Sequence, residues 1–436
     1  MFETIVALAT APMKSALAII RLSGDDCFKI VNNVFSKDIS KTTNRDIYYG
    51  KIIDKEKTID EVVLLAYKNP HSFTGEDSVE IIAHGSMLIA KQIIDVLLAN
   101  GARMATNGEF SSRAFLNHKI DLVQAEAIND VINATTVEGI ELSVLALEGK
   151  TSKVFKPLKE KLGELLAKIE VNIDYPEYED IEEVSRNEIK QVSSDLVDSL
   201  RVLVENGEKD RLYHEGVKIA IVGKPNVGKS SLLNALLKED KAIVTDIAGT
   251  TRDVVEGEIV LDGVPVKLFD TAGYRESSDV IETIGISKIH KILKESDLII
   301  YVKDETGIDD ALYNEIKDLK HLVVRNKSDL LKEKTHDICI SIKNNDLDQL
   351  ISAVKKELNI TTLKARPTFY NVRQLALLKR MVKMLETAIN DVDNNEPIDL
   401  ISVSIMSAYN AALDLLGESN KNDLTDEIFS RFCVGK

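Results

Sequence analysis

The sequence predicts a multidomain chain of α/β and α character: an N-terminal α+β domain, then a helical domain interrupted by an inserted α/β domain. Three observations carry that expectation. Residues 223–230 read Gly-Lys-Pro-Asn-Val-Gly-Lys-Ser, between the apolar run Ile219–Val222 and the leucine-rich segment Leu232–Leu237. Apolar residues recur at helical spacing on both sides of that inserted domain. The first 117 residues alternate strand-like and helix-like segments.

Residues 1–117 are expected to hold strands at Ala18–Leu22 and Glu61–Tyr67 and a helix from Met87 to Leu98. Two loops in this region, Asn69–Asp77 and Gly108–Asn117, are dense in glycine and polar residues. Such loops are either plain surface or the place where binding residues sit.

Between about 152 and 205, Val154, Phe155, Leu158, Leu162, Leu165, Leu166 and Ile169, then Ile189, Val192, Leu196, Leu200 and Leu203 keep helical spacing. The pattern resumes after Pro367 with Leu375, Leu378, Val382, Leu385 and Ile389, and again through Ala411, Ala412, Leu415 and Leu416. Neither half offers its apolar stripe a partner, so residues 118–213 and 363–436 are expected to form one helical domain around an insert at 214–362. The polar stretch Glu205–Asp210 and the segment Lys364–Pro367 are the expected hinges.

The insert carries the chemistry. In a strand–loop–helix setting, the N–H groups of the 223–230 loop and the helix N-terminus cradle phosphates. Asn226, Val227, Gly228, Lys229, Ser230 and Ser231 form the loop and helix start, with Lys229 reaching the β- and γ-phosphates and Ser230 able to ligate Mg²⁺. Thr245, Asp246, Ile247, Ala248, Gly249, Thr250 and Thr251 lie on an expected switch loop, with Thr251 placed to close on Mg²⁺. Asp270, Thr271, Ala272 and Gly273 end the strand Val266–Phe269, with Asp270 near the metal and a flexible glycine beside the γ-phosphate. Asn326, Lys327 and Asp329 follow the strand Leu322–Val324, and the Asp329 carboxylate accepts both N–H donors of guanine, which adenine does not present. Ser341, after the strand Ile338–Ile340, stands where a base-contacting Ser-Ala-Lys is found, although Ile342 replaces the alanine. The domain is therefore expected to be a P-loop GTPase of Ras-like α/β fold that binds GTP with Mg²⁺.

Asn226 is either a turn-forming residue or one ligand of a monovalent cation. In the second reading K⁺ lies between Asn226 and carbonyls near Thr245, Ile247 and Thr250, and supplies the charge that an arginine finger gives elsewhere. Tyr274 occupies the place of a water-orienting glutamine and cannot do that work, so another polar group must enter. Glu282 is the candidate, against the simpler reading of an acid placed near a helix N-terminus.

Composition narrows the class. At 436 residues and 44% hydrophobic content the chain can fill two to four domains. Three scattered cysteines, Cys27, Cys339 and Cys433, do not make a disulfide framework, and no apolar run is read as membrane-spanning or as an export signal. A cytoplasmic enzyme is expected. A net charge of −16 argues against binding nucleic acid mainly through a phosphate-neutralising face, so any RNA contact is local or shared with a partner.

Taken together, the Asn-Pro-His-Ser-Phe-Thr-Gly-Glu-Asp loop at 69–77, the run from Gly108 to Ala127, the insert with Gly-Thr-Thr-Arg-Asp at 249–253, and the closing Phe432-Cys433-Val434-Gly435-Lys436 resemble the MnmE (TrmE) family of tRNA-modification GTPases over essentially the whole chain. The resemblance implies an N-terminal domain that binds a 5-formyl- or methylene-tetrahydrofolate and makes a homodimer. It also implies an FAD-containing MnmG partner in a heterotetramer, a tRNA substrate modified at C5 of the wobble uridine, and K⁺-stimulated hydrolysis by paired GTPase domains. Carried over by position, Arg21, Glu80, Lys119 and Lys436 would contact the folate, Glu282 would orient the attacking water, and Cys433 would match a cysteine needed for modification, against its simpler reading as a small buried hydrophobe. Met13–Ala16 departs from the family's glycine-rich loop, and Gly417–Asn422 lacks its usual Thr-Gly. A ribosome-assembly GTPase of Era or Der type shares the Thr-Thr-Arg-Asp switch but brings a basic RNA-binding domain or a second GTPase. A regulatory switch that recognises only a protein is the other alternative.

Overall fold

The computed structural model describes residues 3–174, 185–238, 257–270, 290–330, 338–361, 363–419 and 428–430, with Phe432, Val434 and Gly435. The chain forms two compact units, one from Met1–Asn129, Ala146–Val197 and Arg380–Lys436, the other from Asp130–Leu145 and Asp198–Lys379.

In the first unit, alternation of apolar and polar residues builds a sheet with two different faces. Its strands are β1 (Ile5–Leu8), β2 (Leu17–Ser23), β3 (Arg45–Asp54), β4 (Lys57–Tyr67), β5 (Ser78–His84) and β6 (Arg103–Met104), in the order β3-β4-β5-β2-β1-β6. All neighbours are antiparallel except β1 and β6. Ile20, Leu22, Val62, Leu64, Ala66, Val79 and Ile81 point to one face and are buried with Cys27, Phe28 and Val31 of α1 (Cys27–Asn32) and Ile93 and Leu97 of α2 (Met87–Ala99). The intervening residues, among them Arg45, Tyr67, Glu80 and Arg21, therefore fall on the other face.

The same unit continues through α3 (Glu109–Leu116) and α4 (Leu122–Asn133), the latter reaching the start of the second unit, and α5 (Val137–Leu147) follows. Helix α6 (Lys150–Asp174) buries Phe155, Leu162, Leu165, Leu166 and Ile169, the predicted three-and-four spacing. Its partner is α12 (Ile398–Leu416), which buries Ile401, Ile405, Ala408, Ala412 and Leu415 and ends at Gly417 in the left-handed conformation that caps helices. Gly163 lets the two helices approach, since a Cβ there would lie 3.1 Å from the Tyr409 ring. Contrary to the sequence reading, α12 is long and apolar enough to cross a membrane. Its buried stripe against α6 accounts for that composition as a core helix.

The second unit is a mostly parallel sheet with β7 (Val217–Val222), β8 (Gly257–Leu261), β9 (Val264–Asp270), β10 (Leu298–Lys303), β11 (His321–Arg325) and β12 (Ile338–Cys339), ordered β12-β11-β10-β7-β9-β8. Only the β8–β9 hairpin is antiparallel. Strands β7 and β10 are nearly continuous apolar runs because both faces are covered. Helices α8 (Lys229–Lys238) and α10 (Asp348–Glu357) contribute to one core, and α9 (Asp310–Ile316) to the other. The chain leaves β7 toward β9 on one side and β10 on the other, and the carboxyl ends at such a switch point are where ligands bind in this architecture.

The expected hinge at Glu205–Asp210 is not a linker: these residues lie inside α7 (Arg186–Glu215). Gly207 is required there by close packing, since a Cβ would meet the Phe369 carbonyl at 2.1 Å. The helix instead gives way to β7 at Gly216, with φ of +73°. The other expected hinge, Lys364–Pro367, does lie in an irregular connection ahead of α11 (Val372–Asp393), tied to α7 by Thr368 Oγ1 donating to Asp210 at 2.8 Å.

Candidate functional site

Two sites emerge, one in each unit. In the second unit, the 223–228 loop leaves the carboxyl end of β7 and enters α8. Gly223 (φ +150°) and Gly228 (φ +101°) are needed for space as well as backbone freedom: a Cβ would lie 2.2 Å from the Val302 carbonyl oxygen and 2.4 Å from the Asn326 amide nitrogen. Asn226 also adopts a left-handed conformation, φ +63°, which suits its turn-forming reading and leaves the cation reading open.

The Asn326–Asp329 segment and the 223–228 loop are locked together. Buried Asn326 donates its Nδ2–H to the Val227 carbonyl at 2.9 Å. Lys327 pairs with Asp304 at 2.7 Å, and Asp304 also accepts from the Thr306 N–H and hydroxyl. The Lys327 hydrogen bond, helped by Thr306 and opposed by burial, holds the Asp304 carboxyl at about 2. Ser341 donates its hydroxyl to Asp329 Oδ1 at 2.9 Å, so the segment in which Ile342 replaces the expected alanine still buttresses the carboxylate expected to read guanine. Sequence reasoning missed Asp304, whose signal is its position directly after β10, beside the parallel strand β11 that delivers Asn326–Asp329.

At the phosphate end, Lys229 is buried and donates to the Lys224 carbonyl at 2.9 Å. Ser230 donates to Asp270 Oδ2 at 2.5 Å, which brings the two predicted magnesium-side oxygens together. A hydroxyl and a carboxylate form the hard oxygen donor set that Mg²⁺ accepts, and they leave room for phosphate and water ligands. Val227 and Ser231 flank these groups, the first buried and the second exposed. Thr245, Asp246, Ile247, Ala248, Gly249, Thr250, Thr251, Thr271, Ala272, Gly273 and Glu282 lie outside the described residues.

In the first unit, a cavity of about 270 Å³ is lined by Arg21, Arg45, Tyr67, His71, Ser72, Phe73, Thr74, Ser78 and Glu80. Arg21 and Glu80 are opposite each other on β2 and β5 and form an ion pair, with Nε and Nη2 of Arg21 both on Glu80 Oε1 at 2.8 and 2.7 Å. Arg21 also donates to the Gly435 carbonyl at 3.0 Å and lies over the Phe110 ring. Glu80 Oε2 has no partner among the described residues, which leaves a carboxylate oxygen for an N–H donor in the cavity.

Lys119 is not among the lining residues. It donates to the Pro70 carbonyl at 2.9 Å and holds the 69–77 loop. None of the lining residues comes from Met13–Ala16. Cys433 and Lys436 lie outside the described residues, although Gly435 between them reaches Arg21.

The polar loops have a structural account that the sequence did not provide. Glu76, on the 69–77 loop, is buried with Arg113 of α3, Nη1 to Oε2 at 3.0 Å, and also accepts from Ser23 at 2.7 Å. Arg113 further donates to Glu109 and to the Glu3 carbonyl. Asn117 donates to the Thr74 carbonyl at 2.8 Å. The two polar segments thus clamp one another and fix the cavity wall.

Comparison with known proteins identifies the family. The model of the MnmE helical domain matches residues 122–433, and that of the GTP-binding protein TrmE N-terminus matches residues 4–119. The tRNA modification GTPase MnmE of Mycoplasmopsis pulmonis is 43% identical over 444 residues, covering 100% of both chains. That of Enterococcus faecalis is 39% identical over 458 residues, covering 100% of this chain and 98% of the relative. Among solved structures, Era in complex with MgGDPNP and a segment of 16S ribosomal RNA is 30% identical, with 38% of this chain and 66% of that chain covered and a TM-score of 0.27. The chain, a GTP hydrolase with a phosphate loop and a TrmE-type N-terminal domain, belongs to the MnmE (TrmE) family.

Proposed function

We propose that this protein is a K⁺-stimulated GTPase that modifies tRNA. With an FAD-containing MnmG partner, it uses a tetrahydrofolate one-carbon unit to add an aminomethyl-type group to C5 of the wobble uridine. It works as a cytoplasmic homodimer, within a heterotetramer that includes the partner. The observation that carries this reading is the Arg21–Glu80 pair in the N-terminal cavity, with one carboxylate oxygen unpartnered among the described residues and the Gly435 carbonyl on Arg21. A pterin is a flat ring with N–H donors that suit such a carboxylate, and Lys119 and Lys436 add positive charge around an anionic ligand.

In the nucleotide site, the N–H groups of the 223–230 loop and Lys229 hold the β- and γ-phosphates, and Asp329, held by Ser341, reads guanine. Ser230 and Thr251 hold Mg²⁺, with Asp270 beside Ser230. That ion, when bound, would offset the negative charge of the phosphates. Asn226, with carbonyls of Thr245, Ile247 and Thr250, holds K⁺. Glu282 orients the attacking water, and Cys433 serves the modification step. Closure on GTP pairs two GTPase domains and hydrolysis releases them.

Calorimetric titration of 5-formyltetrahydrofolate into the wild type and Arg21→Ala tests the N-terminal site. Saturable binding that disappears in the variant is expected; absence of binding to the wild type would leave only the GTPase. Turnover should be faster in KCl than in NaCl, and equal rates would remove the potassium assignment.

A further inference from the structure

We propose that Arg45 is a specificity-determining residue of the N-terminal cavity, placed to take the carboxylate at the acidic tail of the ligand whose ring is held at Glu80 and Arg21. This rests on the folate reading of that cavity.

The argument begins with strand register. Arg45 on β3 is opposite Tyr67 on β4, and Tyr67 is opposite Ser78 on β5. Leu65, two residues before Tyr67, is opposite Glu80, and Glu80 is opposite Arg21 on β2. With a side-chain period of two, Arg45, Tyr67, Ser78, Glu80 and Arg21 share one face, while Leu64, Ala66, Val79, Ile81 and Leu22 are buried behind the other. The shared face is the cavity floor.

The two arginines on this floor differ in what they already bind. Arg21 is committed to Glu80 and to the Gly435 carbonyl. Arg45 donates only its Nε–H, to the His71 carbonyl at 3.1 Å. Among the described residues no carboxylate lies within ion-pair distance of it, and its two terminal nitrogens carry no partner. Those nitrogens are the donors that grip a carboxylate.

Spacing selects the kind of ligand. The order β3-β4-β5-β2 puts three interstrand steps between Arg45 and Arg21, roughly 14 Å across the sheet. A small compact ligand would not reach both ends. A ring at Glu80 with a carboxylate on an extended linker would, and Tyr67 and Phe73 line the space between.

The test separates tail recognition from support of the loop through His71. Full-length wild type, Arg45→Gln and Arg45→Lys are titrated calorimetrically with 5-formyltetrahydrofolate and with 5-formyltetrahydropteroate, which lacks the glutamate. Arg45→Gln should weaken folate binding about tenfold, as expected for a lost charge-assisted pair, and leave pteroate binding unchanged. Arg45→Lys should weaken folate binding less. Retained pteroate binding also shows that the variant is folded. Unchanged folate affinity in Arg45→Gln would overturn the assignment while sparing the folate reading. Equal weakening toward both compounds would mean that Arg45 only supports the loop. A wild type that binds neither compound would remove both readings.

Discussion

Ser341 lies twelve residues beyond Asp329, yet its hydroxyl holds that carboxylate at 2.9 Å. A group that reads a base gains affinity when its orientation is fixed in advance. Ser341→Ala should therefore weaken GDP and GTP binding about fivefold, corresponding to roughly 1 kcal/mol for one lost hydrogen bond. Fluorescent-nucleotide titration measures this, and an unchanged Kd would assign Ser341 to the turn it caps at Asn344 rather than to the base. Asp329→Asn replaces one acceptor oxygen by a donor, which suits the C2 carbonyl of xanthine better than the amino group of guanine. The preference should move from GTP toward XTP, and unaltered GTP preference would show that another residue reads the base. The Asn326–Asp329 and phosphate-loop residues were legible because each motif is contiguous. Asp304 was not, because its partner Lys327 is 23 residues away and only the parallel pairing of β10 with β11 joins them.

At the scale of elements, the 69–77 loop and α3 form one clamp around buried Arg113, which is 3% exposed. Removing the carboxylate leaves a desolvated guanidinium with part of its charge uncompensated, so Glu76→Ala should destabilise this unit by about 3–5 kcal/mol. Hydrogen exchange in β2 and β5 would report the loss, and unchanged protection would show that the clamp is dispensable. The same clamp gives a pH dependence. Burial pushes the Glu109 carboxyl up, but hydrogen bonds from Arg103, the Thr106 N–H and Arg113 outweigh it and hold it at about 2. The depressed carboxyl contributes stability above its unfolded pKa of about 4.3, and loses it as pH falls toward 2. The stability difference between wild type and Glu109→Gln should thus be full near neutrality and shrink below about pH 4.3. A constant difference down to pH 2 would contradict the assigned pairing. Strands and helices here were legible from periodicity, whereas the Glu76–Arg113 pair spans 37 residues and a single sequence gives no sign of it. Gly207 misled for a related reason: a glycine in a polar stretch reads as a breaker, but the need was close approach of Phe369 to a continuous helix.

At the scale of the whole chain, residues near its C-terminus pack against the N-terminal sheet and α4. Gly435 accepts from Arg21 across 414 positions, Val434 bridges Asn107, and Phe429 and Phe432 are buried with Leu122 and Ala125. Gly435 has φ of +91°, and a Cβ there would lie 2.8 Å from the Leu8 carbonyl oxygen. Gly435→Ala must therefore strain the backbone or move its carbonyl away from Arg21, at a cost of order 1–3 kcal/mol. The expected result is at least a fivefold loss of 5-formyltetrahydrofolate affinity, by calorimetry, with the intrinsic GTP hydrolysis rate of the same preparation unchanged. The two readouts divide because the nucleotide groups from Gly223 to Ser341 belong to the other unit. Loss of hydrolysis together with folate binding would show that the terminus supports the fold as a whole. Full retention of folate binding would show that the Arg21–Gly435 contact is incidental to the cavity.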